Sequence, residues 1–409
     1  MLEAFRRSIA LLALALLVPA SAFAADESAG ARFRAFLEEM RGEALQAGVS
    51  ATTYDRAVMG LNAPDISVQE LNDRQPEFVR PVWEYLDGIL TERRIGRGHQ
   101  MLAAFAPFYD WLETSFGVPR QVVTAIWGME SAYGEIMGNR NIFQSLATLG
   151  FEGRRQNFGR QQFLAALQIA EREAIDPQTM LGSWAGAVGH TQFIPTSYLE
   201  RAVDGDGDGK RDLWNSHADA LASAANYLKS AGWENSAGWG EEARLPESFP
   251  FDQADNSIRR TYREWAAMGV RAANGDELNM DGGPAAIFLP AGAGGPAFLV
   301  QQNFNVIMRY NNATSYALAV GLLSDRLTGR GVVVGLWPNE AVPLSRGQLI
   351  TLQEGLEAMG YPVGGADGIL GAQTRNAIRD YQRAEGLNPD GYATPGLLTR
   401  ILNDRQTPR

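Results

Sequence analysis

The chain contains no cysteine and only three histidines among its 409 residues. The absence of cysteine excludes disulfide bonds, thiolate nucleophiles, cysteine-ligated zinc, iron–sulfur clusters and a lipid anchor attached through sulfur. The histidines are His99, His190 and His217. Their spacing excludes an H-E-x-x-H zinc motif and leaves few candidates for the base of a Ser-His-Asp hydrolase. Carboxylates are therefore the main candidates for chemistry.

Basic residues are also in the minority. The chain has 36 Lys and Arg against 47 Asp and Glu, which gives a formal net charge of −11. This balance argues against nonspecific nucleic-acid binding, which needs a basic surface, and we expect no nucleic-acid partner. With 45% hydrophobic and 20% charged residues, the composition excludes wholesale disorder and collagen. At about 150 residues per domain, the length predicts two or three domains.

The N-terminal segment has the composition of a secretory signal peptide. Arg6 and Arg7 precede an apolar run over residues 9–18, which is too short to span a bilayer. The small-residue motif at 22–24 is typical of a signal cleavage site, so we expect residues 1–24 to be removed. A buried N-terminal helix is the alternative. No apolar stretch of 18 residues, long enough to span a bilayer, follows, and we expect an exported, soluble protein that is not anchored in the membrane.

Apolar residues at helical spacing predict helices over most of residues 31–235. The region from 240 to 300 changes character, with clusters of glycine and proline that are typical of loops. Within it, the short apolar segments 286–289 and 297–300 predict a pair of strands. A helix is expected to resume near residue 312 and to end near residue 329.

Residues 331–343 contain Trp337, Pro338 and Pro343 and are interpreted as a linker. Three apolar helical faces follow within residues 344–409 and predict a small three-helix domain with its own core. The expected fold is therefore mainly α, with one large domain over residues 25–330, a small β-containing insertion and a C-terminal helical domain.

A carboxylate interrupts the apolar face of one predicted helix. Val123, Ile126, Trp127 and Glu130 fall at positions i, i+3, i+4 and i+7, so Glu130 stands where the pattern expects an apolar residue. Burial and the negative end of the helix dipole both disfavour the ionised form and raise its pKa. A raised pKa suits a general acid that works near neutral pH. A core glutamate held by hydrogen bonds is the alternative, and Glu135 is expected to face solvent.

Two further segments combine small, polar and aromatic residues. In segment 183–198, glycines and alanines allow a ligand to approach the backbone closely, and Ser183 and Gln192 offer hydrogen bonds. Packing between helices is the alternative there. Segment 309–317 places tyrosines beside asparagines, which suits the stacking and hydrogen bonding of sugar rings, or else caps a helix. The basic pair Arg154-Arg155 either faces solvent or, in a cleft, would hold carboxylates.

An acidic loop begins at Asp204. Asp204, Asp206 and Asp208 occupy positions 1, 3 and 5 of a D-x-[DN]-x-[DN]-G pattern, which is typical of a calcium loop. Lys210 would supply its carbonyl at position 7. Position 12 lacks the usual glutamate, and Asp219 is the best replacement for it. A solvated acidic turn is the alternative, and a bound calcium ion would be structural.

In this order, the segments resemble the family of lytic murein transglycosylases of the MltB type over about residues 31–328. The motifs that carry the resemblance are Gln75-Pro-Glu-Phe78, Trp83, Gly128-Met-Glu-Ser-Ala-Tyr-Gly134, Ser183-Trp-Ala-Gly-Ala-Val-Gly189, Gln192-Phe-Ile-Pro195, Leu213-Trp214, Ala225-Asn-Tyr227 and Arg309-Tyr-Asn311. The C-terminal unit resembles the small peptidoglycan-binding domain of cell-wall enzymes through Asp367-Gly-Ile-Leu-Gly371, Tyr381-Gln382 and Asp390-Gly391.

The resemblance implies a lysozyme-like catalytic domain that cleaves the β-1,4 bond between N-acetylmuramic acid and N-acetylglucosamine and leaves 1,6-anhydro ends. Glu130 would be its single general acid and base, and Arg154 and Arg155 would face the peptide stem. The residues of the glycan cleft would be Ser183, Gln192, Tyr227, Tyr310, Asn311 and Tyr316. The calcium ligands would be Asp204, Asp206, Asp208, the Lys210 carbonyl and Asp219.

The partners that the resemblance implies are peptidoglycan glycan strands and their peptide stems, with cell-wall synthesis enzymes as further candidates. We expect a periplasmic monomer without an organic cofactor. Two other functions stay open at this point. A hydrolytic muramidase would need a second carboxylate or a positioned water near Glu130, and a non-catalytic wall-binding protein would need neither.

Overall fold

The computed structural model describes residues 20–73, 80–338 and 343–406. Most of the expected signal peptide and the motif at 75–78 lie outside these ranges. The first described helix begins at Ala20, so it contains the expected cleavage motif at 22–24. No helix within the described ranges is both long and apolar enough to cross a bilayer.

The large domain is helical up to residue 230, as predicted. Its helices are α1 Ala20–Gln46, α2 Ala51–Ala57, α3 Ile66–Asp73, α4 Val82–Ile89, α5 Glu92–Ala104, α6 Ala106–Phe116, α7 Arg120–Ser131, α8 Ile142–Phe151, α9 Gln156–Glu173, α10 Pro195–Arg201, α11 His217–Ser230, α12 Tyr262–Ala267, α13 Gln302–Tyr310 and α14 Thr314–Arg326. The helix expected from about 312 to 329 is thus confirmed as α14, with slightly tighter bounds.

Two of the apolar cores in the described part of the large domain hold most of these helices together. One core surrounds the fully buried Trp127 of α7 and includes side chains of α11, α13 and α14. The other contains Phe33 of α1, Phe143 of α8 and Phe163 of α9. The backbones of α8 and α9 lie so close together that a Cβ added to Gly159 would come within 2.2 Å of the backbone nitrogen of Gly150.

Six short strands complete the large domain. They are β1 Arg140–Asn141, β2 Leu181–Gly182, β3 Gly240–Arg244, β4 Arg271–Ala272, β5 Ala286–Phe288 and β6 Ala297–Val300. Strands β1 and β2 form one antiparallel pair, and the other four form an antiparallel sheet in the order β4-β3-β6-β5. The two predicted strands are therefore confirmed as β5 and β6, with Ile287 opposite Leu299. Strands β3 and β4 are additions to the prediction.

The C-terminal unit forms the predicted three helices. They are α15 Arg346–Ala358, α16 Ala372–Ala384 and α17 Pro395–Gln406. Leu352, Ile378, Tyr381 and Ile401 are fully buried at its centre. The Thr394 hydroxyl accepts a hydrogen bond of 3.1 Å from the Leu397 amide and so caps the last helix, as expected for Thr-Pro at a helix start.

The C-terminal unit contacts the β-containing part of the large domain. The Arg379 guanidinium forms an ion pair of 2.8 Å with Asp255 and donates to the Ala254 carbonyl. The Asp390 carboxylate accepts a hydrogen bond of 2.8 Å from the Ala293 amide. Part of the linker is held as well, since the amides of residues 334 and 335 donate to the Glu242 carboxylate. Residues 339–342 of the linker lie outside the described ranges.

Candidate active site

Glu130 lies in the last turn of α7, at the end of a buried helix face. Val123, Ile126 and Trp127 on this face are fully buried, as the helical spacing predicts. The helix ends one residue beyond Glu130, because residues 132–134 all have positive φ angles. The ionisable group is thereby fixed at the negative end of a helix whose other turns are packed in the core.

The Glu130 carboxyl is partly buried and has one strong hydrogen-bonding partner. The Tyr316 hydroxyl, at the start of α14, donates to Glu130 Oε1 over 2.6 Å. Burial raises the pKa of Glu130 to about 7, although the Tyr316 hydrogen bond acts in the opposite direction. A carboxyl of this pKa is substantially protonated near neutral pH, so it can donate a proton and later take one back.

Three tyrosines surround this carboxyl. Burial raises the pKa of Tyr85, Tyr310 and Tyr316, and the negative charge of Glu130 raises each of them further. Within the described ranges, no second carboxylate perturbs the pKa of Glu130. Tyr85, on α4, was missed by the sequence analysis, because nothing in the pattern of α4 distinguishes it from an ordinary amphipathic position.

Tyr227 and Tyr310 form an aromatic cluster beside the carboxyl. Their ring centroids are 4.8 Å apart, and each ring lies 5.8 Å from the ring of Phe193. The Tyr310 hydroxyl donates to the Thr191 carbonyl over 2.7 Å, and the Tyr227 hydroxyl donates to a backbone carbonyl of α13 over 2.5 Å. Asn311 directly follows α13 and is exposed. The predicted glycan-binding tyrosines therefore lie together around Glu130.

Ser183 and Gln192 shape the backbone of the neighbouring loop. The Ser183 hydroxyl accepts hydrogen bonds from the amides of Ala185 and Ala187. The Gln192 side-chain amide donates to the carbonyls of Met137 and Gly189, over 3.0 and 2.8 Å. Both residues are half-buried. The hydrogen bond from Gln192 to the Met137 carbonyl joins this loop to the segment that follows α7.

The predicted basic pair has local partners. The Arg154 guanidinium donates to the Asn72 carbonyl at the end of α3. The Arg155 guanidinium lies 5.7 Å from the centroid of the Trp184 ring, which follows Ser183 in the small-residue loop. Burial lowers the pKa of Arg155, and the adjacent Arg154 lowers it further. This pair is therefore held beside the loop, and its cationic groups meet no carboxylate among the residues that the structure describes.

Two histidines that are distant in sequence meet beside α7. The rings of His190 and His217 are 4.5 Å apart, and Trp127 Nε1 donates to His190 Nδ1 over 3.2 Å. Burial lowers the pKa of His190 to about 4, and the charge of His217 would lower it further. Both rings are therefore uncharged at neutral pH and pack as core aromatics. Residue spacing gives no signal for this contact.

The acidic loop brings three carboxylates together. Oxygens of Asp204, Asp206 and Asp219 lie within 4.8 Å of one another. Asp219 is 1% exposed, and burial together with the two other aspartates raises its pKa. Asp208 lies outside this group and accepts from the Lys210 amide over 2.8 Å. Several hard oxygen donors around a shared point fit a divalent cation such as calcium, and Asp219, although it follows the loop in sequence, lies beside Asp204 and Asp206.

Comparison with known proteins identifies the family of both domains. Residues 32–325 match the family model of the transglycosylase SLT domain, and residues 345–401 match that of a peptidoglycan binding domain. The chain belongs to the SLT transglycosylase family. The boundaries of both matches lie inside the large domain and the C-terminal unit, respectively.

Individual relatives are consistent with this assignment. Membrane-bound lytic murein transglycosylase B of Escherichia coli is 34% identical over 213 residues, which are 51% of this chain and 57% of that protein. SltB3 from Pseudomonas aeruginosa, solved with NAG-anhNAM-pentapeptide, is 50% identical with a TM-score of 0.88, and the match covers 90% of this chain and 99% of that one. Slt35 of Escherichia coli, solved with calcium, is 27% identical with a TM-score of 0.61 over 73% of this chain and 92% of that one. The chain therefore has the lysozyme-like SLT fold, and its relatives are lytic transglycosylases.

Proposed function

We propose that this protein cleaves the β-1,4 bond between N-acetylmuramic acid and N-acetylglucosamine in peptidoglycan without adding water, and that Glu130 is its single general acid and base. The observation that carries this proposal is the partly buried Glu130 carboxyl, with a pKa of about 7, which Tyr316 orients and which no other carboxylate among the described residues perturbs. The SltB3 ligand contains an anhydro sugar of the kind this reaction forms.

The first step is proton donation. Protonated Glu130 gives its proton to the glycosidic oxygen as the bond from that oxygen to C1 of the muramic acid breaks. The hydrogen bond from Tyr316 fixes the carboxyl and stabilises the carboxylate that this step leaves behind.

The second step closes the anhydro ring. The Glu130 carboxylate removes the proton from the C6 hydroxyl of the same sugar, and the C6 oxygen bonds to C1. One protein carboxylate suffices because the nucleophile is already attached to the sugar, and an intramolecular attack has a high effective molarity. Two-carboxylate glycosidases need the second group to activate water or to attack C1. Among the residues that the structure describes, no second carboxylate acts on Glu130, which favours the anhydro product over hydrolysis.

The test replaces Glu130 by glutamine, which keeps the shape of the side chain and removes its titration. Glu130→Gln is expected to bind glycan strands but to lower the release of anhydro fragments from purified sacculi by about 10²–10⁴-fold or more. Mass spectrometry distinguishes the products, because anhydro fragments are one water lighter than hydrolysed ones. Glu135→Gln is the matched control, since Glu135 is exposed and paired with Arg93.

Three outcomes of this test separate the alternatives. Residual turnover in Glu130→Gln that equals that of the control would move the catalytic role to another group. Fragments that carry the mass of an added water would make the protein a hydrolytic muramidase. The absence of any released fragment from the unaltered protein would favour the non-catalytic wall-binding function.

The acidic loop supports a structural calcium site. The carboxylates of Asp204, Asp206 and Asp219 would hold the ion, with Asp208 and the Lys210 carbonyl as the further ligands that the loop pattern predicts. The ion would neutralise the repulsion around buried Asp219 and tie the loop to α11. The relative Slt35 was solved in complex with calcium.

The substrate contacts and the location of the enzyme follow from the same proposal. Tyr227, Tyr310, Asn311 and Tyr316 would contact the sugars together with Ser183 and Gln192, and Arg154 and Arg155 would hold carboxylates of the peptide stem. Residues 1–24 would direct export, so the enzyme would meet peptidoglycan in the periplasm as a monomer. The C-terminal unit would add affinity for the same polymer, and contacts with cell-wall synthesis enzymes remain part of this proposal.

A further inference from the structure

A cavity of about 270 Å³ lies between the C-terminal unit and the large domain. Leu349 and Leu370 of the C-terminal unit and Val82 of the large domain contribute apolar walls. Two cationic side chains also line it, Arg80 from the large domain and Arg375 from α16. Neither domain alone would form this site, because its lining comes from both.

The two arginines have no anionic partner in the part of the chain that the structure describes. Arg375 makes no ion pair there, and the nearby carboxylates are engaged elsewhere: Asp255 pairs with Arg379, and Asp390 accepts from the Ala293 amide. Burial lowers the pKa of Arg375 more than the charges of Asp255 and Asp390 raise it, so its charge is only partly compensated. A guanidinium in this state favours a bidentate anion such as a carboxylate.

The start of helix α14 adds to this preference. Thr314 and Ser315 line the cavity and form the first turn of α14, whose N-terminus has no side-chain cap. The free amides of a helix N-terminus carry partial positive charge and favour anions. This feature strengthens a site that the two arginines already define.

The cavity also borders the helical turn that carries Tyr316. Thr314 and Ser315 directly precede Tyr316, whose hydroxyl contacts Glu130. A glycan strand that reacts at Glu130 carries its peptide on the muramic acid, next to the bond that breaks. A peptide stem with a free carboxylate, attached to this muramic acid, would therefore have a cationic cavity within one helical turn of Tyr316.

We propose that this cavity binds a carboxylate of the peptide stem belonging to the strand held at Glu130, with Arg80 and Arg375 as its two cationic ligands. The proposal rests on the proposed function, because it deepens the substrate that function names. It makes the C-terminal unit part of substrate recognition beside the catalytic group, and it is separate from the pair Arg154 and Arg155. Enzyme with an intact cavity is expected to prefer strands that carry stems.

The test compares two substrates with the full protein. One is a set of glycan strands with peptide stems, and the other is the same set after an amidase has removed the stems. Arg375→Gln and Arg80→Gln are each expected to lower kcat/KM about 10- to 100-fold on the first substrate and to leave the second unchanged. Arg375→Lys is expected to recover part of the loss. Arg405→Gln, in the last turn of α17, removes the same charge outside the cavity and serves as the control.

A binding measurement separates this proposal from the proposed function. The free pentapeptide stem is titrated calorimetrically into the Glu130→Gln protein with and without Arg375→Gln. A Kd that weakens about tenfold or more with the second substitution supports the cavity even if the reaction products prove to be hydrolysed. Equal losses of kcat/KM on both substrates, an unchanged rate on stem-bearing strands, or an unchanged Kd would each overturn the proposal.

Discussion

At the scale of single residues, the proton affinity of Glu130 results from two opposing effects. Burial at the end of α7 disfavours the carboxylate, whereas the hydroxyl of Tyr316 stabilises it. The balance places the pKa near 7 instead of the ordinary 4.5. A group with this pKa loses its proton to a leaving oxygen and recovers one from a hydroxyl at comparable cost, which a reaction with a single acid and base requires.

This balance predicts how activity and stability depend on pH. Cleavage is expected to fall as pH rises through about 7, because the first step needs protonated Glu130.

The free energy of unfolding is also expected to fall as pH rises from about 4.5 to about 7. Below pH 4.5 the carboxyl is protonated in both states, and between about 4.5 and 7 the unfolded state ionises first, so rising pH favours unfolding. Denaturant titrations should show Glu130→Gln gaining about 1–3 kcal/mol over the unaltered protein across this window; a constant difference would contradict the raised pKa.

Tyr316→Phe isolates the hydroxyl that opposes burial. Its removal is expected to raise the pKa of Glu130 further, so the alkaline limb of the pH–rate profile should move to higher pH, and kcat should fall about tenfold. Tyr133→Phe is the control, because the Tyr133 hydroxyl donates to the Arg94 carbonyl while its ring packs against the same helix. A shift of the limb to lower pH, or the same shift in the control, would argue against this role of Tyr316.

At the scale of helices and loops, the sequence pattern was informative where the determinants are local. The spacing of Val123, Ile126 and Trp127 located Glu130 at the end of a buried face, and the aspartate spacing located the acidic loop. The contact of Tyr316 with Glu130 joins residues 186 positions apart, so no periodicity predicts it. The same reason explains why Tyr85 was missed. The resemblance to a family named Tyr316 as a residue of the glycan cleft but did not predict this contact.

The pattern of apolar residues in the sequence also did not predict two of the short strands or the contact between the two histidine rings. Strand β4 has two residues, and β3 has charged residues at three of its five positions, so neither shows the alternation that predicts a strand. The histidine pair behind α7 depends on how the loop at His190 and the start of α11 meet in space. Local sequence determines such contacts only through the whole fold.

The acidic loop allows a prediction about metal binding. Calcium chloride is expected to raise the melting temperature of the protein, and a chelator is expected to reverse the rise, because a ligand that binds only the folded state stabilises it. Asp219→Asn should abolish the calcium effect, since it removes a buried carboxylate of the three-residue group. Asp208→Asn should reduce it less, because Asp208 lies outside that group. Differential scanning calorimetry measures both, and an equal effect of magnesium would show that the site does not select calcium.

At the scale of the whole molecule, the position of the C-terminal unit depends on a few polar contacts. Arg379 is 8% exposed and joins Asp255 and the Ala254 carbonyl, while Asp390 holds the Ala293 amide. Since a buried guanidinium that loses its carboxylate is costly, these contacts favour one arrangement of the two domains. The cavity with Arg80 and Arg375 exists only in that arrangement.

Asp255→Asn is expected to weaken this docking by about 2–4 kcal/mol, because Arg379 would lose its ionic partner at a largely buried position. The linker over residues 331–343 should then be cleaved faster by a protease at low dose, and cleavage of stem-bearing strands should slow while cleavage of stem-free strands does not. Asp380→Asn is the matched control, since it breaks an exposed ion pair with Arg383 on the same helix. Asp255→Asn could instead leave both the proteolysis rate and the preference for stem-bearing strands at the level of the control. The ion pair between Asp255 and Arg379 would then not couple the two domains. Any joint recognition of the substrate would have to depend on the contact between Asp390 and the Ala293 amide.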